Sequence, residues 1–485
     1  MSRSGGLTLV RWGGLAGSAL VAVAAYRGGS GFHRTRVLTA VPMLRGDQGW
    51  LLPVCWIAGL AMLLAAWWGG RRVVVPSTRW ALITAAMWLV PVVPVLPLGS
   101  DDIYSYACQG YVQHAGGDPY AAGVQEFGCP WLDAVSPIWR NSPAPYGPLF
   151  VLVAGWAVSV GGSLVGTIGA LRALALAGLA LLAAGVVPLA RRLGVDPARA
   201  VWTVLACPLV LIHLVSGAHN DALMSGLTVT GLAVVAYRRN GAGLLAAGAL
   251  LGLAGSVKAT ALVVLPFAVL VAAPRGSSPR ALVRPAVLLG GGAALAMGAS
   301  GLAAGRGVGW VAGLLRSGDT VAWTSPSTAV GLTVNAAVRT IGKDVNAVPV
   351  TRSLGVVVLA VLLVVLWLRT WRAGRGDDNT ARPRSDAVTA AGLALAATVL
   401  CAPVFHPWYA VWPLSVLAGS RFAESAAFSR WVLVPCTVAA TLTLPSGYNW
   451  ALATRLPGSL LMTAALLAFA GRAVRRRHDA RQWAS

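Results

Sequence analysis

Long apolar runs separated by clusters of arginine constrain this chain of 485 residues more than any other feature. Its hydrophobic content is 57%, and only 11% of its residues are charged, against about 25% in an average soluble domain. A run of about 20 mostly apolar residues crosses roughly 30 Å of bilayer hydrocarbon as a helix. The sequence therefore predicts an all-α polytopic membrane protein with little mass in water.

The apolar runs predict roughly 13–15 membrane-spanning helices. Several runs are short and rich in glycine, which is typical of tilted, broken or re-entrant helices. The first run has no cleavage site followed by a soluble chain, so we interpret it as a retained span and not a signal peptide. The candidate spans are 7–26, 50–69, 79–99, 148–166, 169–190, 200–215, 222–237, 241–257, 259–273, 284–304, 353–370, 386–404, 407–420, 430–446 and 456–471.

Arginine clusters between the runs predict the orientation, because short cytoplasmic loops carry an excess of Lys and Arg. The net charge of +23 therefore indicates cytoplasmic loops near anionic lipid headgroups and not a nucleic-acid partner. The predicted cytoplasmic clusters are Arg71 with Arg72, Arg191 with Arg192 and Arg199, Arg238 with Arg239, 275–284, 369–384 and 472–477. The predicted outer segments are 100–147, 216–221, 305–352, 405–409 and 446–455.

Two segments conflict with this orientation. The basic segment RGGSGFHRTR follows the first run and falls on the outside. Residues 148–190 are long enough for two crossings, whereas the charge rule requires an odd number between the flanking loops. We therefore expect one of the two runs in 148–190 to be a helix that does not cross the membrane.

The segment 100–147 is the longest polar interruption and contains five of the 15 acidic residues but a single base, Arg140. The acids are Asp101, Asp102, Asp118, Glu126 and Asp133. On a helix, Asp102, Ser105 and Tyr106 share one face. A carboxylate beside an apolar wall has a raised pKa, which suits removal of a proton from a hydroxyl group. This composition favours a reaction site over an ordinary helix cap.

A resemblance to a known family begins in this segment. The runs SDDIYSYACQGYVQHAGGDPY and PIWRNSPAPYGPLF, followed in order by HNDALM, SVKATAL, WTSPSTAVG and FHPWYAVWPL, resemble the polyprenol-phosphate-mannose-dependent α-1,6-mannopyranosyltransferases of actinobacteria. The resemblance implies a membrane glycosyltransferase of the GT-C fold. It further implies a single domain over 1–485, with juxtamembrane helices in a first outer loop, 100–147, and a second outer loop at 305–352.

The resemblance also implies the reaction. Mannose would pass with inversion from polyprenyl-phosphate mannose to a lipid-anchored α-mannan acceptor, forming an α-1,6 linkage on the outer face of the plasma membrane. The family's acidic position corresponds to Asp102, which we predict as the catalytic base, with Asp101 as the second candidate. Asp101, Asp102 and Asp118 could together hold a metal ion, but the resemblance implies metal independence, and we expect no cofactor besides the lipid-linked donor.

Further polar and aromatic residues at the outer ends of the spans are predicted to bind substrate. Alternative roles stay open for several of them: Arg140 could form an ion pair inside its loop, Lys258 could snorkel to the interface, and the residues around His406 could belong to an interfacial aromatic belt. The predicted binding residues are Tyr104, Tyr106, Arg140, Tyr146, His219, Asn220, Asp221, Lys258, Arg316, His406, Trp408 and Tyr409.

Other functions and one covalent feature also stay open at this point. A GT-C enzyme that transfers another sugar, such as arabinose, fits the same residues, since only the resemblance identifies the sugar. A lipid-sugar transporter or flippase fits the many spans, although its ionisable residues should lie near the bilayer midplane. A scaffold for cell-wall assembly would leave the acidic loop unexplained. Cys108 and Cys129 could form a disulfide or remain free thiols.

Overall fold

The computed structural model describes residues 3–31, 39–73, 75–274, 276–316, 320–375 and 383–482. Within them the chain is α-helical, and the only strand-like pairing is an isolated bridge between Thr443 and Asn449. The helices are α1 (Arg3–Gly28), α2 (Ala40–Arg45), α3 (Leu51–Arg72), α4 (Thr78–Leu89), α5 (Asp102–His114), α6 (Pro137–Arg140), α7 (Pro148–Gly161), α8 (Leu164–Leu193), α9 (Pro197–Leu205), α10 (Asp221–Tyr237), α11 (Gly241–Val257), α12 (Leu265–Ala272), α13 (Pro279–Ala304), α14 (Trp310–Arg316), α15 (Pro326–Arg339), α16 (Val348–Ala373), α17 (Pro383–Cys401), α18 (Val411–Leu417), α19 (Ala426–Phe428), α20 (Val434–Thr441), α21 (Trp450–Ala453) and α22 (Arg455–Gln482).

The prediction of an all-α polytopic membrane protein is confirmed. Six described helices are long and apolar enough to cross a bilayer: α1, α3, α8, α13, α16 and the part of α17 from residue 384 onward. A seventh candidate span is α9 together with the π-helical segment Val210–Ser216, which is bent by 65° at the intervening break. Six shorter apolar helices accompany them. The number of 13 to 15 spans stays a prediction.

The helices run between two faces, which we call the arginine face and the site face. On the arginine face, α3 ends at Arg71 and Arg72, α8 carries Arg191 and Arg192 in its last turn, and α10 is followed by Arg238. On the site face, the beginning of α10 meets the end of α11. This regular separation of basic helix ends from the opposite ends is the pattern that the positive-inside rule describes.

Helix α7 lies along the site face and does not cross to the arginine face. At its start, the Gly147 amide donates to the Val257 carbonyl at the end of α11, at 3.3 Å. At its other end, Gly161 packs backbone to backbone against Thr167 in the first turn of α8. Because α8 runs from there to the arginine face, both ends of α7 are on the site face. In this region only α8 is long and apolar enough to cross a bilayer, so α7 is the candidate for the expected non-crossing helix.

Helix α5 packs on α7 and forms a second layer on the site face. Gly110 permits the close approach, since a Cβ atom there would lie 2.4 Å from the carbonyl oxygen of Ala154. A disulfide joins Cys108 of α5 to Cys129, with the two Cα atoms 5.6 Å apart. The disulfide alternative for these cysteines is thus confirmed, and it ties the loop 115–136 to α5. The other conflict with the orientation is the basic segment RGGSGFHRTR, residues 27–36, and its second half, 32–36, lies outside the described residues.

Replacing Gly110 by alanine tests the contact between α5 and α7. The added methyl group has no space against the α7 backbone, and overpacking of this kind costs about 1–3 kcal/mol of stability. Gly169→Ala is the matched control, because Gly169 lies within α8 and no atom lies within 4 Å of the position that its Cβ would take. We expect a lower thermal unfolding midpoint in detergent for Gly110→Ala and no loss for Gly169→Ala. Equal midpoints for the two variants would contradict the close packing.

Candidate active site

Three segments from distant parts of the sequence meet on the site face around Asp102. They are the beginning of α5, the turn 217–220 before α10, and the segment 405–412, which contains the 3-10 helix Pro407–Ala410. Lys258, immediately after α11, joins them. All four carry residues that the sequence predicted to bind substrate or to act in catalysis, and the fold brings them into one cluster.

Asp102 is the first residue of α5, which lies on the site face and outside the membrane-spanning segments. Its side chain is 14% exposed. The Trp139 indole N–H donates to its Oδ1 at 3.0 Å, and its backbone amide donates to Ser100 Oγ at 3.1 Å. Burial raises the pKa of Asp102 to about 6, while the charge of Lys258 and the bond from Trp139 oppose the rise. The carboxylate is therefore ionised at neutral pH and is a stronger base than an exposed aspartate.

His219 is buried at the centre of the cluster. Its Nδ1 lies 3.1 Å from the Tyr106 hydroxyl, 4.0 Å from Asp102 Oδ2 and 3.9 Å from Asp221 Oδ2. Burial lowers its pKa well below the ordinary value, so the ring is neutral. Ala218, the preceding residue, has φ +47° and is the one non-glycine residue with positive φ in the described chain. Strain of this kind clusters at functional sites, where the surroundings hold it in place.

Asp221 and Lys258 form a buried ion pair. Lys258 Nζ donates to Asp221 Oδ1 at 2.9 Å, and the Trp412 indole N–H donates to the same oxygen at 2.6 Å. The ammonium group also lies over the rings of Tyr409, at 4.6 Å, and Trp412, at 5.1 Å. Tyr146 is farther from it, at 5.9 Å. The lysine is therefore held in a fixed position by a carboxylate and aromatic faces and does not snorkel freely.

Stacked rings form another wall of the cluster. Trp408 stacks on His219, with centroids 3.9 Å apart, and on His406, at 4.6 Å. Tyr409 stacks on Trp412 at 4.2 Å. Trp408 is 4% exposed and thus lies inside the protein. This position argues against the alternative of an interfacial aromatic belt, whose rings face the headgroups.

Two cavities meet at Asp102, and we name them by their position. The upper cavity, of about 350 Å³, is lined by Ser100, Asp101, Trp408 and residues of 443–452. The inner cavity, of about 320 Å³, is lined by Ser105, Tyr146, Lys258 and Tyr409, by Gly313 and Leu314 of α14, and by Thr398 of α17 with the apolar residues 402–404 that follow it. Asp102, Trp139 and His406 line both cavities. The carboxylate of Asp102 therefore lies where a molecule in one cavity would meet a molecule in the other.

Buried polar atoms of the inner cavity have no hydrogen-bond partner within the described part of the chain. They are Ser105 Oγ, Gln109 Oε1 and Thr260 Oγ1. Buried polar groups are normally hydrogen-bonded, and exceptions require an explanation. The inner cavity thus offers polar groups for the hydroxyls of a bound molecule and one cation, Lys258.

Some of the predicted site residues lie elsewhere. Tyr104 is fully buried and donates its hydroxyl to the Ser30 carbonyl, and it lines neither cavity. Arg140 also lines neither cavity, because its guanidinium donates to the backbone carbonyls of Val135 and Asp133. Both residues therefore stabilise the site-face segments and are not brought to the cavities. The side chain of Arg316 lies outside the described residues.

Asp101 and Asn220 each lie immediately before a helix of the cluster. Asp101 precedes the first turn of α5 and lines the upper cavity. Asn220 caps α10 and is 3% exposed, and its side-chain amide has no hydrogen-bond partner within the described part of the chain.

Sequence reasoning missed several residues that the fold brings to the site. Trp139 and Trp412 donate to the two carboxylates, and Thr443, Tyr448 and Asn449 line the upper cavity. The spacing of Trp408 and Trp412 by four residues was a signal, because residues four apart share one helix face. Trp139 lies inside the run PIWRNS, but no second tryptophan lies four residues from it. The metal set weighed from sequence does not assemble in the described chain: Asp118 lies 3.9 Å from Arg306 instead.

A buried carboxylate at the junction of two cavities, on one face of a multi-helix membrane protein, is an arrangement that suits a membrane-bound group-transfer enzyme. Comparison with known proteins identifies the family. Residues 11–274 match the model of the α-(1→6)-mannopyranosyltransferase N-terminal domain, and residues 324–473 match that of the MptB C-terminal domain. The chain belongs to the α-(1→6)-mannopyranosyltransferase family.

Curated relatives support the same assignment over most of the chain. The α-(1→6)-mannopyranosyltransferase A of Mycobacterium tuberculosis is 36% identical over 447 residues, covering 87% of this chain and 83% of the relative. The protein of the same name from Corynebacterium glutamicum is 31% identical and covers 82% of this chain and 85% of the relative. The protein is thus a glycosyltransferase, and the recognition of its family from the sequence motifs is confirmed.

Among solved structures, the oligosaccharyltransferase of Archaeoglobus fulgidus matches with a TM-score of 0.37 and 15% identity, covering 80% of this chain and 55% of that chain. As a mannosyltransferase, the protein uses a sugar donor and a glycan acceptor. Family membership and the all-α membrane architecture agree with the GT-C class expected from the sequence.

The buried ion pair yields a prediction about stability. Lys258→Met leaves Asp221 buried without its cation, and breaking a buried pair in this way costs about 3–5 kcal/mol. The double variant Lys258→Met with Asp221→Asn removes both charges while an amide oxygen can still accept from Trp412, so we expect it to recover most of the loss. Chemical unfolding of the purified proteins in detergent measures both values. A double variant less stable than Lys258→Met would show that the carboxylate has another partner.

Proposed function

We propose that the protein transfers mannose from polyprenyl-phosphate mannose to the 6-hydroxyl of a lipid-anchored α-mannan acceptor, on the outer face of the plasma membrane. The observation that carries this proposal is the position of Asp102 at the junction of the two cavities. One cavity would hold the donor headgroup and the other the acceptor. Family membership supports the sugar and the α-1,6 linkage, and the lipid nature of the donor agrees with the apolar walls of the inner cavity.

The inner cavity suits the mannosyl-phosphate group of the donor. Lys258 provides a cation for the phosphate, and its bond to Asp221 fixes the ammonium group. Ser105, Gln109 and Thr260 provide unused polar atoms for sugar hydroxyls. A leaving phosphate needs positive charge near its oxygens as negative charge develops there. We therefore place the donor in the inner cavity and the acceptor in the upper cavity.

The reaction would be a single displacement with Asp102 as the base. The acceptor O6 forms a bond to the anomeric carbon while the bond from that carbon to the phosphate oxygen breaks. The electron pair leaves with the polyprenyl phosphate, and the acceptor proton passes to Asp102. Attack from the face opposite the leaving group converts a β-mannosyl phosphate into an α linkage. One carboxylate is sufficient, since phosphate needs no proton to leave, unlike the leaving group of a glycosidase. The mechanism requires no metal.

Two observations support the outer location of the site. Helices α3 and α8 carry their arginine clusters in their last turns, on the face opposite the site. Clusters of this kind are expected next to cytoplasmic loops. The disulfide between Cys108 and Cys129 lies on the site face, and disulfides persist in oxidising compartments outside the cytoplasm. Treating α7 as a non-crossing helix also removes the conflict in the number of crossings.

Asp102→Asn tests the base directly. The amide keeps the shape but cannot accept the proton, so turnover with radiolabelled polyprenyl-phosphate mannose should fall by about 10²–10⁴-fold. Asp101→Asn should reduce turnover less, since Asp101 lines only the upper cavity. Asp118→Asn is the control, because its carboxylate is 46% exposed and faces Arg306 outside both cavities.

Near-normal turnover by purified, folded Asp102→Asn would exclude Asp102 as the base. A loss confined to Asp101→Asn would transfer that role to its neighbour. Transfer should persist after treatment with a chelator, and activity that returns only on adding a divalent cation would overturn the metal-independent mechanism.

The pH profile provides a second test. The base works only when ionised, so kcat/KM, whose pH profile reports the free enzyme, should fall as the pH drops through about 6, the pKa of Asp102. Trp139→Phe removes the hydrogen bond that stabilises the carboxylate and lowers its pKa. The acidic limb of the profile should therefore move to higher pH in this variant, whatever happens to the maximal rate. An acidic limb that does not move would show that another group controls the profile.

A further inference from the structure

A small cavity of about 130 Å³ lies on the arginine face, opposite the face that carries Asp102. It is enclosed by the end of α3, the beginning of α9 and the segment 418–424 after α18. Its charged lining consists of two arginines and two acids, which are Arg71, Arg199, Asp196 and Glu424. We propose that this cavity binds the headgroup of a zwitterionic phospholipid from the leaflet at the arginine face, with a phosphate joined to an ammonium group.

One of the arginines has no partner. Arg199 Nε is buried, yet it has no hydrogen-bond acceptor within the described part of the chain. The Arg199 guanidinium group donates no other hydrogen bond and forms no ion pair among the described residues. Buried polar groups are normally hydrogen-bonded, and a buried charge is costly unless it is paired. An anionic acceptor that does not belong to the chain would remove this cost.

A second positive charge lies in the same cavity. Arg71 Nη1 donates to Thr203 Oγ1 at 2.6 Å, and its guanidinium group lies over the Phe428 ring at 5.3 Å. Neither contact neutralises the charge of Arg71, so it repels the like charge of Arg199. Arg199 also lies in the first turn of α9, where the helix dipole disfavours a cation. A phosphodiester has two unesterified oxygens and can accept from both guanidinium groups at once.

The two carboxylates lie nearer to water than the guanidinium group of Arg71. Asp196 caps α9 by accepting from the Ala198 amide at 2.9 Å, and Thr203, which binds Arg71, is seven residues further along the chain. Seven residues of α-helix rise by roughly 10 Å. Glu424 ends a short 3-10 helix after α18, and both acids are exposed. The cavity therefore has positive charge at its inner end and negative charge at its mouth.

This order of charges matches a zwitterionic phospholipid headgroup. The phosphate is bonded to the lipid backbone and lies nearer the hydrocarbon, whereas the ammonium group extends toward water. A phosphate held by Arg71 and Arg199 would place the ammonium group beside the two carboxylates. An anionic headgroup such as phosphatidylglycerol has no cation for these carboxylates, and inorganic phosphate has none either. Both should therefore bind more weakly than phosphatidylethanolamine.

The cavity is preformed, because the elements around it are joined by hydrogen bonds. The Trp67 indole of α3 donates to the Thr203 carbonyl at 3.1 Å, and the Trp202 indole of α9 donates to the Trp67 carbonyl at 2.9 Å. On the third side, Arg421 Nε donates to the Leu193 carbonyl at the end of α8, at 3.2 Å. A site that is already rigid lowers the entropic cost of binding.

Arg199→Gln tests the site with little risk to folding, because the side chain donates no hydrogen bond within the described part of the chain. Arg72→Gln is the matched control, since it removes the same charge from an exposed position at the end of α3 that does not line the cavity. Native mass spectrometry of the delipidated full chain, titrated with dioleoylphosphatidylethanolamine, measures binding. We expect Arg199→Gln to bind this lipid about 10–100-fold more weakly than the wild type, the effect of losing a charge-assisted hydrogen bond. Arg72→Gln should bind as the wild type does.

Other probes identify the headgroup and its source. Dioleoylphosphatidylglycerol should bind the wild type more weakly than dioleoylphosphatidylethanolamine, and Glu424→Gln should reduce this preference. Tighter binding of phosphatidylglycerol would overturn the zwitterionic headgroup. If free phosphoethanolamine bound as tightly as the lipid, the same charges would serve a soluble phosphate ester, and the assignment to a lipid would be overturned.

The control variant separates the cavity from general attraction to a basic surface. Equal weakening in Arg199→Gln and Arg72→Gln would overturn the proposal, and so would binding that Arg199→Gln leaves unchanged. The unfolding midpoint is a second readout, because a ligand of the folded state stabilises it. Phosphatidylethanolamine should raise the midpoint of the wild type and of Arg72→Gln but not that of Arg199→Gln. Neither measurement involves sugar transfer, so failure of the proposed reaction would not affect them.

Discussion

The ion pair between Lys258 and Asp221 is the interaction on which the architecture of the site depends. Taking two charges out of water is costly, and the pair is tolerated only with close geometry and further hydrogen bonds. Here the end of α11, the beginning of α10 and Trp412 of α18 supply them. Three elements from different parts of the chain must therefore meet at one point, and the meeting point places His219 and the stacked rings of 406–409 next to Asp102.

The position of the ionisable groups distinguishes this arrangement from a transporter. Asp102, His219, Asp221 and Lys258 all lie at helix ends on one face, whereas transporters bind their substrates near the bilayer midplane. Asp102 in addition belongs to α5, a helix of the site-face layer that packs on α7 and is joined to the following loop by a disulfide. Asp102 thus belongs to a helix other than α10 and α11, which carry the ion pair.

The sequence predicted the membrane class, the family and the cluster of polar segments, because hydropathy, basic loops and motifs are local signals. It could not distinguish α7 from a span, because the composition of this apolar helix of 14 residues does not show whether the helix crosses the membrane. Arg140 was predicted to bind substrate or to form an ion pair inside its loop, because its carbonyl partners leave no trace in the sequence. Trp139 was overlooked because its contact with Asp102 joins residues 37 positions apart. Such non-local contacts depend on tertiary packing and not on any sequence period.

One break in the helical chain, after α11, brings polar groups to the inner cavity. Helix α11 stops at Lys258, whose extended backbone, with φ −149°, directs the ammonium group toward Asp221. The chain then turns into the 3-10 segment Ala259–Val264, where Thr260 lines the inner cavity, and continues into α12. A continuous span would have no polar end at this depth. Because the span is broken here, one short stretch of chain brings both a fixed cation, Lys258, and a hydroxyl group, that of Thr260, to the inner cavity.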